Sequence, residues 1–211
     1  MRAYCSLFVD AGYLMAAAST RLTGTSLRSA TDVDVPGLLE DLSAQVEADC
    51  GLPLLRIHWY DAGTRAGTPD QRQREIAELP GVKLRLGRLG HHGEQKGVDL
   101  KLALDLIAQS RNGVAEVIYL ICGDADLSEA VEAAQELGVR VVGIVVPDGA
   151  GEAIAVSRAL RRTLDRVVHI DGARLDARVK RATVLTVVPN QTGAAVLRLP
   201  VPPRLVPAQQ P

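Results

Sequence analysis

The residues best placed for chemistry are four aspartates, Asp10, Asp99, Asp124 and Asp126. Asp10 closes the apolar run Tyr4–Asp10, and Asp124 and Asp126 lie in the turn Gly123-Asp124-Ala125-Asp126 between an apolar run and a helical stretch. Each has an ordinary explanation. Asp10 can cap the helix that follows it, and Asp126 with Glu129 spells a capping box. Asp99 lies in the first turn of a helix, where the dipole favours negative charge, and Asp124 suits a turn. Jointly they ask for more. Two carboxylates about 4 Å apart repel by roughly 4 kcal/mol at an effective dielectric near 20. Three or four of them need a shared proton or a cation. Oxygen ligands with no His or Cys beside them favour Mg2+ or Mn2+ over Zn2+. An ion of this kind keeps several waters, and one of these can be activated against a phosphodiester.

The elements that must position these acids follow from hydrophobic period and turn residues. Ile118–Cys122 reads as a buried strand, Leu127–Leu137 as a helix ending at Gly138, and Val139–Val146 as a second buried strand. That is a right-handed βαβ unit with parallel strands. Before it come strands over Tyr4–Asp10, Leu54–Asp61 and Val82–Leu89, the last alternating apolar and basic residues as a strand near a sheet edge does. Helices are expected over Tyr13–Leu22, from Asp34-Val35-Pro36 to about Asp49, over Gln71–Leu79, Val98–Ser110 and Glu152–Leu164, with a short strand at Val167–Ile170. Thr23–Thr31 and Gly90–Gly97 read as polar loops. Strands alternating with helices imply an α/β fold, a three-layer α/β/α sandwich with a mainly parallel central sheet. The site in such a sheet lies beyond the carboxyl ends of its strands, where Asp10, Asp124 and Asp126 fall and where the helix carrying Asp99 begins.

With 211 residues, one domain of ordinary core size is expected, its core built of Val, Leu, Ile and Ala because only six residues are aromatic. Cys5, Cys50 and Cys122 form no CxxC pair or zinc spacing and read as reduced thiols, which suits a cytoplasmic protein. No apolar run of 18 residues is present, so no membrane-spanning helix is expected. The net charge of −1 conceals an asymmetry: from Ala177 to Pro211 five basic residues meet no acid, leaving the body at −6. Residues 1–175 are read as one domain and 176–211 as a basic, proline-rich, weakly ordered tail that could touch phosphates or a protein partner. Within it, Val184–Val188 and Val196–Leu199 could each pair as strands. GxGxxG is missing after Asp10 and GxxxxGK[ST] is missing everywhere, which argues against both phosphate-cradling nucleotide motifs.

Leu7–Leu14 (LFVDAGYL), Gln95–Leu106 (QKGVDLKLALDL) and Tyr119–Ile144 (YLICGDADLSEAVEAAQELGVRVVGI) together resemble the NYN family, PIN-like ribonuclease domains, in the bacterial branch related to the LabA proteins. The resemblance covers about residues 4–171. It implies a Mg2+- or Mn2+-dependent nuclease fold whose acids match Asp10, Asp99, Asp124 and Asp126. It also includes Asp105, six residues past Asp99 and off its helical face, as a structural or supporting acid, and Ser128 as a group for a water or phosphate oxygen. Tyr13 stands where many relatives carry Asn, and Leu127 where Phe usually follows the turn.

The expected activity is hydrolysis of phosphodiester bonds, with single-stranded RNA as partner, and the resemblance favours a homodimer. Lys96, Arg85 and Arg88 are candidates for a phosphate track. Asp61 could approach the rim, whereas Trp59, His58 and His169 read as structural and His91-His92 as solvent-exposed. Two other classes use the same residues: a regulatory or adaptor module that no longer cuts, and a phosphatase or small-substrate phosphodiesterase.

Overall fold

The computed structural model describes residues 3–89, 95–182, 186–189 and 195–198. Its elements run β1 (Cys5–Asp10), α1 (Ala11–Thr23), β2 (Thr31–Val33), α2 (Val35–Cys50), β3 (Leu54–Ala62), α3 (Gln71–Ala77), β4 (Val82–Leu89) and β5 (Gln95–Lys96). Then follow α4 (Val98–Arg111), β6 (Val117–Ile121), α5 (Ser128–Glu136), β7 (Arg140–Val145), α6 (Arg158–Thr163), β8 (Arg166–His169), α7 (Gly172–Arg178), β9 (Val179–Arg181), β10 (Thr186–Pro189) and β11 (Ala195–Arg198).

Seven strands form one sheet in the order β5-β4-β3-β1-β6-β7-β8, with every pairing parallel except β4 with β5. Every residue of β1 and of β6 is buried, as near-continuous apolar strands covered on both faces must be. Alternation along the strands divides the core in two. Cys5, Leu7 and Val9 pack with Leu14 of α1 and Leu38 and Leu42 of α2. Phe8, Ile118 and Leu120 pack with Leu102 and Leu106 of α4, Val131 of α5 and Leu160 of α6. The expected three-layer α/β/α sandwich with a mainly parallel sheet is therefore the fold. Helix starts follow their sequence signals: Asp34 caps α2 with Pro36 in its first turn, and Asp70 with Gln73 makes a full capping box on α3.

Three local expectations change. The helix read over Glu152–Leu164 is only α6. Before it the backbone turns back on β7: Ile154 N–H donates to the Val146 carbonyl at 2.9 Å and Ser157 N–H to the Gly123 carbonyl at 2.9 Å, with Ala155 at φ 52° between them. Those donors serve neighbouring segments rather than a helix, and Ser157 caps the shortened one through its Oγ. The Thr23–Thr31 loop holds a 3-10 turn at Arg28–Ala30 and leads directly into β2, which pairs antiparallel with β9. The third change lies in the basic segment assigned from residue 176, which starts inside α7 and is packed up to Ala182. Leu175 and Val179 join the first core, and Arg178 reaches Asp41 at 2.8 Å and Asp34 at 3.0 Å. Most of the segment beyond lies outside the described residues, although β10 and β11 pair as an antiparallel hairpin. Among the described residues no helix is long and apolar enough to cross a membrane.

Candidate active site

β1 and β6 are parallel neighbours with Val9 opposite Ile121, so Asp10 and Cys122 leave the sheet side by side at its carboxyl edge. Asp10 is both the last strand residue and the cap of α1, its Oδ1 accepting from Tyr13 N–H at 3.1 Å. Its Oδ2 lies 3.6 Å from the Cys122 thiol, which burial and the Asp10 charge hold protonated. Burial raises the Asp10 carboxyl above its ordinary range, the Tyr13 N–H opposes that, and the charge of Asp99 adds to it. Asp99 sits in the first turn of α4, behind Gly97 at φ 73°, a left-handed conformation that glycine adopts without a Cβ penalty. Burial, then Asp124 and Asp126, raise the Asp99 carboxyl in turn. The four acids therefore share one electrostatic field, as their positions at strand ends and a helix start require.

Asp124 accepts from Asp126 N–H at 3.1 Å through Oδ1, which closes the turn Ala125–Leu127. α5 then starts at Ser128 with no side-chain cap, so the expected capping box of Asp126 with Glu129 does not form. The Asp126 carboxylate accepts no hydrogen bond among the described residues, and its ordinary explanation fails. Gly123 is required by close approach. A Cβ there would meet the Ala155 carbonyl oxygen at 2.3 Å and the Tyr13 ring at 2.8 Å. The Tyr13 hydroxyl donates to the Ile154 carbonyl at 2.9 Å, and burial pushes the phenol up to about 12. Tyr13 is thus a wall that ties α1 to the segment after β7.

Between these groups lies an open depression of about 390 Å3, lined by Asp10, Gly12, Tyr13, Arg28, Gly123, Asp124 and Ala155. Among the described residues no three His, Cys, Asp or Glu side chains stand close enough together to grip one ion. The acids are adjacent without forming a closed cage; Asp99, Asp124 and Asp126 are exposed and can change rotamer.

The other sequence candidates divide. Ser128 opens α5 with its Oγ buried and unpartnered. Lys96 on β5 pairs in register with Arg88 on β4, and both are exposed. Arg85 does not join a phosphate track: it grips Asp105 through two hydrogen bonds of 2.6 Å, and Tyr60 donates to the same carboxylate at 3.0 Å. Asp105 is thereby committed to the second core, away from the rim. Asp61 is buried among Arg28, Gln73 and its own strand end. Trp59 is packed, and His58 is buried against Phe8, where burial lowers it to about 4. His169 is exposed at the far sheet edge, and its carbonyl accepts from Gln45. His91 and His92 lie outside the described residues. Sequence reasoning missed Arg28, a residue lining the depression. Its one signal is that it is the sole charge in the Thr23–Thr31 stretch.

Comparison with known proteins places this geometry in context. A family profile described as NYN domain matches residues 5–171, a span that contains all four aspartates. The uncharacterized protein y4oD of Sinorhizobium fredii is 42% identical over 69 residues, which is 33% of this chain and 32% of that protein. The match therefore spans about a third of the relative's length. The crystal structure of a Vibrio parahaemolyticus protein of unknown function, VPA0982, superposes with a TM-score of 0.54 at 20% identity, covering 81% of this chain and 94% of that one. At that identity the likeness is one of fold. The chain belongs to the NYN domain family.

Proposed function

We propose that the acidic rim hydrolyses phosphodiester bonds of single-stranded RNA, with Mg2+ or Mn2+ held by Asp10, Asp99 and Asp124 and with Asp126 completing the set. The observation that carries this reading is the raised carboxyls of Asp10 and Asp99, each partly caused by another acid of the same group. Negative charge is in excess there, and the donors are all carboxylate oxygens, the set a hard divalent ion fits. Arg28, which also lines the depression, already pairs with Asp61 at 3.3 Å and leaves that excess standing. Family membership supports a nuclease-type activity.

A divalent ion at these oxygens supplies Lewis acidity and a water of lowered pKa. The chain's own residues do the rest. Asp10 is fixed by its cap bond and the Cys122 thiol, so it is the immobile ligand. Asp99, Asp124 and Asp126 close by side-chain rotation. Asp126, bound to nothing else, is placed to orient a nucleophilic water. Ser128 Oγ offers a phosphate oxygen its missing partner, and Arg88 and Lys96 line the β4–β5 approach for the strand backbone. Tyr13 narrows the floor beside Asp10.

The spread of the carboxylates favours a second reading, a regulatory module that binds RNA or protein without cutting. Cleavage of a mixed-sequence single-stranded RNA in Mn2+, in Mg2+ and in chelator separates the two. Metal-dependent cleavage that Asp124→Asn abolishes is the expected result. Cleavage unchanged by that substitution refutes the assignment, and no cleavage with no metal-induced rise in melting temperature selects the regulatory module.

A further inference from the structure

A second cavity, about 180 Å3, lies between β2, α3 and the end of β3. Two of its lining residues carry buried polar atoms that bond to nothing in the described protein, the Trp59 indole N–H and the Thr31 hydroxyl. Trp59 is 1% exposed and Thr31 7%. A buried polar group left unmatched costs about 1–3 kcal/mol, and native proteins leave few of them. The remaining polar lining is already satisfied. Asp61 accepts from Arg28, Gln73 and the Ala62 N–H, and Arg72 donates to the Val33 carbonyl at 2.7 Å. Asp70 is occupied in capping α3.

These facts define the guest. Two carboxylates and two guanidiniums line the cavity, so it has no net charge to attract an ion. The indole can only donate, and the hydroxyl can donate or accept. A neutral guest that presents an acceptor to Trp59 and a mixed polar edge to Thr31 matches both. The edges of a nucleobase carry that alternation on a flat ring, and bases splayed from single strands are read this way, by edge hydrogen bonds and aromatic contact. Arg28 lines both this cavity and the acidic depression, which puts the two within one nucleotide's neighbourhood.

We propose that this cavity is a base-recognition subsite, taking one nucleobase of a bound RNA strand while its phosphate lies at the acidic rim. The inference rests on the rim being an RNA site, but base binding itself needs neither metal nor cleavage. The sequence contains one tryptophan, so intrinsic tryptophan fluorescence reports on this cavity alone. Each of the four ribonucleosides is titrated into the full chain in chelator, with ribose and inorganic phosphate as controls. A saturable change for at least one nucleoside and for neither control is expected. Thr31→Val should weaken that binding by about tenfold, one hydrogen bond's worth, and Thr31→Ser should retain it. A 2′-O-methylated oligoribonucleotide, which resists cleavage, should bind more tightly than its nucleosides.

No response to any nucleoside assigns the two polar atoms to ordered water and overturns the proposal. So does binding indifferent to Thr31→Val, and so does an oligoribonucleotide weaker than the free nucleosides. Nucleoside binding by a protein that cuts no RNA removes the nuclease reading and leaves the subsite. Cleavage without any nucleoside response does the reverse.

Discussion

Asp10 serves two ends that oppose each other. Its carboxylate caps α1, and burial beside Asp99 raises its pKa, so the charge is held at a cost. Asn caps a helix about as well as Asp and carries no charge to bury. Asp10→Asn should therefore leave the metal-free melting temperature unchanged or higher while abolishing the rise that Mn2+ produces. Bound at a hundred times its dissociation constant, the ion would add about 2.7 kcal/mol to the wild type. Scanning fluorimetry with and without Mn2+ reads both effects, and a metal-free protein several degrees less stable would show Asp10 to be structural. Asp105 makes the opposite case. Its oxygens are taken by Arg85 and Tyr60, so Asp105→Ala strands two donors and should cost about 1–3 kcal/mol in urea unfolding. The Mn2+ response should survive it. A metal response lost with Asp105 would return that acid to the site.

At the level of elements, the rim depends on how closely β6, α1 and the segment after β7 approach one another. Gly123→Ala would drive a methyl into the Ala155 carbonyl and the Tyr13 ring. Overpacking of this kind typically costs about 1–3 kcal/mol, and here it should also displace Asp124 and weaken Mn2+ binding, as calorimetric titration would show. Unchanged metal affinity would mean that the turn floats free of its support. On the opposite face, His58 on β3 stacks on Phe8 of β1, with its ring beside Gln109 of α4. Burial lowers His58 to about 4 against 6.5 for the free side chain. The unfolded chain takes up that proton first as pH falls, so the contribution is intact above pH 6.5 and disappears progressively towards pH 4. Its full size is about 3 kcal/mol. The raised carboxyls of Asp10 and Asp99 act the other way, gaining stability as they protonate, so only a comparison isolates the histidine. His58→Gln should flatten the fall of urea stability between pH 6.5 and 4, and identical profiles would rule His58 out as its source. Most of these elements were legible in the sequence because apolar period and capping residues act locally. The exceptions had non-local causes. Glu152–Leu164 has helical spacing, yet the Ile154 and Ser157 N–H groups are drawn to Val146 and Gly123. Asp126 and Glu129 have capping-box spacing, yet Asp124 takes the Asp126 N–H first. β2 and β9 are three residues each and exist because they pair with each other.

For the whole molecule, the acidic rim could be read in advance because a parallel sheet gathers strand ends by topology alone. The cavity around Trp59 could not, since β2, α3 and β3 meet there only through tertiary packing and Arg28 gives no pattern. That packing includes the chain's basic end. Leu175 and Val179 are buried in the first core, Asp176 pairs with Arg21, and β9 holds β2, which carries Thr31. A chain ending at residue 182 keeps these contacts and one ending at residue 171 loses them. Burying an aliphatic side chain is worth about 1.5–3 kcal/mol, so the shorter chain should be less stable by about 3–6 kcal/mol for two such residues. It should also leave β2 as an unpaired edge, open the Trp59 cavity and shift tryptophan emission to longer wavelength. The acids lie elsewhere, at the ends of β1 and β6 and the start of α4, so Mn2+ should still stabilise whatever fraction folds. Urea unfolding followed by tryptophan emission tests all of this on the two chains together. Equal midpoints within about 1 kcal/mol and unshifted emission would make α7 and β9 an appendage. A loss of that size with red-shifted emission makes them the strap that shapes the second cavity.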